Sequence, residues 1–194
     1  PFHMISGSRP AESPFGPKIS IPNQAFRKFS CFCRDSSVWE ALSDLVLFPL
    51  AQARAAAGEV RSEIRCWSCG CSTGEEAYSL LMIWRHRVAE HFPSVTLSVL
   101  GTDLIEENIT ACQRGVYPHH SVRDLPSAWL EADFEADVQD TPSRLPRKAH
   151  AKACEPEERS YRLREHARCG ATFEVQDVLE TMPDGRFDLV VSRY

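Results

Sequence analysis

Residues 64–81 read IRCWSCGCSTGEEAYSLL, and this stretch decides the fold. An apolar run over 63–68 reads as a strand and ends in a turn of small residues, Gly70-Cys71-Ser72-Thr73-Gly74. Two carboxylates, Glu75 and Glu76, follow at once. A helical period then runs from 74 to about 91, with Ala77, Leu80, Leu81, Trp84 and Val88 on its apolar face. Glycines permit positive φ and close backbone approach, and a helix start offers N–H groups, so a strand entering a helix this way suits a nucleotide-like cofactor. Acids at the helix start disfavour phosphate. A ligand with a cationic end and no phosphate fits better, and S-adenosylmethionine has that chemistry. Ser72 or Thr73, with Glu75 or Glu76 three residues on, also has the form of a capping box.

Working outward, the pattern alternates. A helix is expected over 36–57, with Val38, Leu42, Leu45, Val46 and Leu50 near one stripe and Pro49 kinking or dividing it. Downstream, Pro93 ends the long helix, and 95–100 forms a second strand closing in Gly101-Thr102-Asp103. A helix over 105–114 stops at Gly115, and a short one is expected over 126–134. Residues 173–176 form a short strand, and 187–192, FDLVVS, an apolar strand of the kind buried on both faces. Strand–helix alternation of this kind predicts an α/β domain with a mainly parallel sheet, Rossmann-like in plan. Residues 1–24, rich in Pro, Ser and Gly, read as a loosely packed lead-in, and 25–60 as a helical segment leading into a cofactor-binding domain over 61–194. Residues 138–159 are polar, carry prolines at 142, 146 and 156, and read as a long loop.

Composition excludes several classes. In 194 residues, 43% hydrophobic and 25% charged content is that of a soluble globular protein. A net charge of −5 with interleaved signs argues against a nucleic-acid stripe, and no apolar run is long enough for membrane insertion. Eight cysteines include a C-x-x-C-x-C run, Cys66, Cys69 and Cys71, and a C-x-C at Cys31 and Cys33. Such spacing can feed a zinc site, but Cys66 falls in a strand and the other two flank the turn, which favours buried thiols and no metal. Free thiols imply a reducing compartment, the cytoplasm.

In an open parallel sheet, ligands bind at the carboxyl ends of the strands, where strand order reverses. Three such ends carry chemistry here. One is the turn itself: Gly70, Ser72, Thr73 and Gly74 with Glu75 and Glu76. The second is Asp103, whose carboxylate can accept both hydroxyls of a ribose. The third is Asp177, after the 173–176 strand, where a polar side chain can read an adenine edge. An acid after a strand is more often a helix cap than a ligand; the order of the three is what points to a cofactor site.

GCSTGEEAYSLLM resembles the cofactor motif of the CheR-type chemotaxis methyltransferases. LGTDLIEENITACQRGVYP is similar to that family's second strand, acidic strand end and following helix. FEVQDVLE and FDLVVSR resemble its later strand-end signatures, and FSCFCRDSSVWEAL its approach to the catalytic domain. The resemblance covers about 26–194. It implies methyl transfer from S-adenosylmethionine to a glutamate side chain of an acceptor protein, a chemoreceptor in that family, giving a methyl ester. By position, it implies that Glu75 or Glu76 holds the methionine ammonium, Asp103 the ribose, Asp177 the adenine edge, with Arg193 also at the cofactor. Arg34 would face the reaction centre; the alternative for it is a surface ion pair with Asp35 or Glu40.

The departures are specific. Tyr194 stands where the family has Asn, Asp177 where it often has Asn, and Ala77 where it has Pro. The family's downstream aromatic segment and last strands are not in this sequence, so the sheet is expected to be incomplete at its C-terminal end. A start at Pro1 and this stop imply either a fragment of a longer product or a truncated relative. Other functions consistent with the residues are a same-fold methyltransferase with another acceptor, a cofactor-binding module without catalysis, and a zinc module.

Overall fold

The computed structural model describes residues 30–58, 62–137 and 159–192. The expected lead-in over 1–24, residues 138–158 of the expected loop, and Arg193 lie outside the described residues. Helix α1 (Ser36–Leu42) runs through a wider π-helical turn, Ser43–Leu47, into α2 (Phe48–Ala56). Pro49 sits in the first turn of α2. It has no N–H to donate and its ring crowds the carbonyl four residues back, and the wider turn absorbs both without ending the helix. After β1 (Ser62–Cys69), α3 (Glu75–Ile83) continues through a second π-helical turn, Trp84–Val88, and a 3-10 turn, Ala89–His91. Strand β2 (Val95–Asp103) leads to α4 (Glu106–Arg114), which Gly115 closes in the left-handed region.

Strands β1 and β2 pair in parallel from Ser62 opposite Val95 to Cys69 opposite Thr102. With β6 (Ala171–Val175) and β7 (Leu189–Val191) they form one parallel sheet in the order β6-β2-β1-β7. The chain moves outward from β1 through β2 to β6, then returns to the other side of β1. That is a Rossmann-like α/β plan, with its reversal between β1 and β7.

A second sheet was not expected. Strand β3 (Val116–Pro118), helices α5 (His119–Val122) and α6 (Ser127–Asp133), β4 (Phe134–Ala136), β5 (Ser160–Leu163) and α7 (Glu165–Arg168) make a small subdomain. Its strands pair antiparallel in the order β3-β5-β4. Strands of three or four residues leave too little alternation to read. The expectation for 187–192 needs correction as well. Strand β7 is short, pairs only with β1 among the described residues, and leaves Val190 52% exposed. Apolar composition alone does not say which face of a strand is covered. Asp188 holds this strand in place, its carboxylate accepting from the Arg65 amide at 3.0 Å and from the Arg54 guanidinium.

The main core cluster runs from Phe32, Trp39, Leu47 and Ala51 through the sheet to Leu163 and Ala167, and a smaller one joins Cys71, Ile109 and Cys112. Helix α3 is buried almost all round, with Ala77, Tyr78, Leu80, Leu81, Met82 and Ile83 out of solvent. Each such large side chain contributes about 1.5–3 kcal/mol. Phe32 is fully buried and wedges edge-on against Tyr117 (4.8 Å) and Phe134 (5.2 Å), which ties the N-terminal segment to the small subdomain. Among the described residues no helix is long and apolar enough to cross a membrane.

One buried carboxylate fastens that subdomain to the main domain. Asp133 is fully buried and takes Arg85 Nη1 at 2.6 Å, His86 Nε2 at 2.7 Å and His166 Nε2 at 3.3 Å. Arg85 also donates to the Ala167 carbonyl at 3.2 Å, and the His86 ring stacks on Trp129 at 4.7 Å. Removing Asp133 leaves a part-buried guanidinium without its carboxylate. Asp133→Ala is expected to cost about 3–5 kcal/mol of stability, read as a lower urea midpoint; a loss under about 1 kcal/mol, the range of exposed pairs, would contradict it.

Candidate functional site

The turn 70–74 lies at the carboxyl end of β1, beside the reversal of strand order. Three of its residues have positive φ: Gly70 (+75°), Ser72 (+51°) and Gly74 (+95°). The two glycines serve different ends. A Cβ on Gly74 would stand 2.9 Å from Cys112 Sγ and 3.1 Å from Tyr117 Oη, whereas one on Gly70 would meet nothing within 4 Å. Gly74 lets the turn press onto the core; Gly70 leaves bare backbone facing open space.

Four of the turn's amides are engaged within the protein. The Thr102 carbonyl accepts from the amides of Gly70 (2.8 Å) and Cys71 (2.9 Å), and Gly74 N donates to Cys71 O at 3.0 Å. Ser72 N donates to Asp103 Oδ2 at 2.8 Å. On the core side, the Cys112 thiol donates to Ser72 O at 3.3 Å and the Tyr117 hydroxyl to Thr73 O at 2.9 Å. Amides engaged in this way cannot cradle a phosphate, in accord with the acids that follow. The capping box needs correction. The N-cap of α3 is Gly74, with no side-chain cap, and Thr73 Oγ1 donates instead to Glu75 Oε2 at 2.7 Å. With Gly74 in the left-handed region, the residues before it are turned away from the helix end.

The two glutamates part company. Glu75 is 2% exposed and faces inward, accepting from Ser30 Oγ and Thr73 Oγ1 at Oε2 (2.7 Å each) and from Ser121 Oγ at Oε1 (3.3 Å). Glu76 is half-buried and turns to the strand end, where its Oε1 accepts from Ser68 Oγ at 2.8 Å. Asp103, at the neighbouring strand end, is half-buried; its Oδ1 accepts from Ile105 N (3.0 Å) and Asn108 Nδ2 (3.1 Å). A carboxylate has about four acceptor positions, so with Ser72 N counted Asp103 retains capacity on Oδ2.

Asp177 follows β6 and is brought beside Asp103, because Gln176 N donates to Asp103 O at 2.9 Å. Its Oδ1 accepts from Leu179 N at 2.9 Å, closing a local turn. Arg34 lies on the segment docked along α3: its carbonyl accepts from Trp39 Nε1 at 2.7 Å, and its Nε is 3.8 Å from Asp35 Oδ2 with both side chains well exposed. The structure thus gathers Gly70, Ser72, Thr73, Gly74, Glu76, Asp103 and Asp177 at adjoining strand ends, and sets Glu75 beneath them. Sequence reasoning missed Ser68, which orients Glu76, and the exposed apolar Leu104, Val178 and Leu179 directly after Asp103 and Asp177. The signal for the latter was an apolar residue immediately following each strand-end acid.

The thiols of this region are quiet. Burial, with Asp188 nearby, pushes Cys66 up to about 12. Its hydrogen bond with Cys71, then burial, holds Cys112 far above the usual thiol range. Both shifts favour the neutral thiol, which makes these cysteines poor nucleophiles. Among the described residues, no three His, Cys, Asp or Glu side chains come together to hold a metal.

Residues 28–143, more than half of the chain, match the family described as CheR methyltransferase, SAM binding domain. The chain belongs to that family. Its cofactor is S-adenosylmethionine. The chain is similar to an uncharacterized 104.1 kDa protein of Rhodobacter capsulatus (33% identical over 115 residues), a chemotaxis protein methyltransferase of Borreliella burgdorferi (28% over 122) and chemotaxis protein methyltransferase 2 of Vibrio cholerae (31% over 106). These matches cover 59%, 63% and 53% of this chain, and 12%, 42% and 34% of the three relatives, so the chain spans less than half the length of each.

The contrast between the two glycines can be measured. Gly70→Ala carries left-handed strain alone, about 1–2 kcal/mol. Gly74→Ala adds crowding against Cys112, bringing its loss to about 2–5 kcal/mol. Urea unfolding of the two variants should rank them in that order; equal losses would contradict the inward and outward assignments.

Proposed function

We propose that this chain is the cofactor-binding part of an S-adenosylmethionine-dependent methyltransferase whose acceptor is a protein carboxylate, a glutamate side chain. The observation that carries the reading is the pair of half-buried carboxylates, Glu76 and Asp103, at adjoining strand ends beside the open backbone of Gly70. The donor set suits this cofactor. One carboxylate can take an ammonium and another a ribose diol, exposed Leu104, Val178 and Leu179 can cover a planar base, and the amides of Gly70, Cys71, Ser72 and Gly74 are already engaged. In this reading Glu76, oriented by Ser68, binds the methionine ammonium, Asp103 the ribose and Asp177 the adenine edge. Gly70 allows close backbone approach; Ser72, Thr73 and Gly74 fix the turn's shape. Arg193 keeps its proposed place at the cofactor, outside the described residues.

When bound, the cofactor supplies a sulfonium-activated methyl group. A glutamate acceptor ionises at roughly pH 4.3, so at neutral pH it needs no general base. What remains for the protein is alignment and exclusion of water. Arg34, exposed on a segment docked against α3, is proposed to hold the acceptor carboxylate by a charge-assisted hydrogen bond. The chemotaxis names of two relatives support a chemoreceptor-like acceptor. Free cysteines among the described residues fit a reducing, cytoplasmic setting.

Titration calorimetry with S-adenosylhomocysteine tests the site. Glu76→Gln, which removes a charge-assisted bond, is expected to weaken binding about 10–100-fold. Asp103→Ala, which loses both the ribose acceptor and the Ser72 anchor, is expected to abolish binding, and undiminished affinity in that variant would sink the assignment. Transfer of a labelled methyl group to protein, released by mild alkali as methanol, distinguishes a carboxyl ester from an N-methyl product, which alkali leaves in place.

A further inference from the structure

Glu75 is a buried acid that the proposed chemistry does not use. Its three hydrogen bonds come from three separate parts of the chain. Ser30 belongs to the N-terminal segment, Thr73 to the cofactor turn, and Ser121 to α5 of the small subdomain. Around it the same parts are joined again. Phe32 N donates to Ser121 O at 2.8 Å, and Cys33 N donates to Ser79 Oγ at 2.9 Å, which in turn donates to Glu75 O at 2.6 Å. Ser121 Oγ also reaches Ser30 O at 3.4 Å. The segment 30–34, which ends at Arg34, is thus fastened to the first turn of α3 through one carboxylate, and one oxygen of that carboxylate is shared with Thr73.

We propose that Glu75 is a positioning residue, not a cofactor ligand, and that it makes the hold on segment 30–34 depend on the geometry of the cofactor turn. Ser30 and Thr73 compete for geometry at the same Oε2, so a shift of Thr73 is felt at Ser30 directly. Ligand in the turn fixes Thr73, which fixes Glu75, which tightens Ser30 and the amides of Phe32 and Cys33. By reciprocity, a tightly docked segment 30–34 favours the ligand-ready turn. The effect is to ready the acceptor side, Arg34 included, only when the cofactor side is filled. This inference rests on the cofactor reading above.

Hydrogen exchange of the full chain, with and without S-adenosylhomocysteine, tests it. In the parent protein the ligand should slow exchange at the Phe32 and Cys33 amides. Glu75→Gln keeps the shape of the side chain but weakens the hydroxyl bonds; it should bind ligand about tenfold less tightly, and at saturation should lose the slowing at Phe32 and Cys33. Ser30→Ala leaves the bond between Thr73 and Glu75 in place, so it should still bind ligand but lose the slowing, and by the same reciprocity its affinity should fall by about the factor of slowing that is lost. A purely structural Glu75 would lower protection in both states alike and leave the ligand-induced difference intact. Full ligand-induced slowing in both variants, or none in a parent that binds, overturns the proposal alone. A parent that takes up no S-adenosylhomocysteine overturns the cofactor reading and this proposal together.

Discussion

The structure depends on one carbonyl and one carboxylate at the end of β2. Thr102 O accepts the amides of Gly70 and Cys71, and Asp103 accepts that of Ser72. These bonds carry the register of the β1–β2 pair past the end of β1 and into the turn. They force the chain to leave the sheet through left-handed conformations, which are costly for residues other than glycine. Ser72 adopts one of them at +51°, and its anchored amide supplies the compensation. Helix α3 is aimed by this exit, and the core is built around α3. The proposed cofactor site and the centre of the fold therefore share one set of backbone bonds.

The same bonds set the electrostatics of the site. Phosphate sites use open backbone amides and a helix start clear of acids. Here four amides of the turn are already engaged, and the first two residues of α3 are acids, which the helix dipole favours at that end. The mouth of the proposed site is acceptor-rich: Glu76, Asp103 and Asp177. Such a mouth selects for a cation and hydroxyl groups, and against anions. The sequence order of strand, glycine turn and acids is sufficient to state that preference, because it follows from charge and not from fine geometry.

Legibility in the sequence followed the length of each signal. Strands β1 and β2, helix α3 and the strand-end acids carry long or strongly punctuated patterns, and their order gave the parallel sheet. The antiparallel sheet escaped because β3 and β4 have three residues each and β5 is separated from both in sequence. Its stability comes from tertiary contacts, Phe32 in its core and Asp133 against Arg85 and His86, which leave no local period. Strand β7 was over-read for a related reason. Apolar content reports a preference for burial, while the number of neighbours a strand has is set elsewhere in the fold. The cap was misassigned because a serine or threonine ahead of a helix looks the same whether it caps or only braces a neighbouring acid.

The paired glutamates show where reading a motif stops and packing begins. Successive residues on a helix point about 100° apart, so Glu75 and Glu76 cannot serve one ligand from the same direction. Sequence offers no way to rank them, as both sit in the first turn and both suit the dipole. Depth decides. Position 75 turns toward Ser30 and Ser121, two hydroxyls brought in by elements distant in sequence, and position 76 turns toward Ser68 at the strand end. A buried acid is tolerable only where donors surround it, and those donors come from the segment leading to Arg34 and from the small subdomain. An acid the chain could have placed at the surface is instead held at the junction of three parts, where it ties the turn after β1 to the segment that carries Arg34.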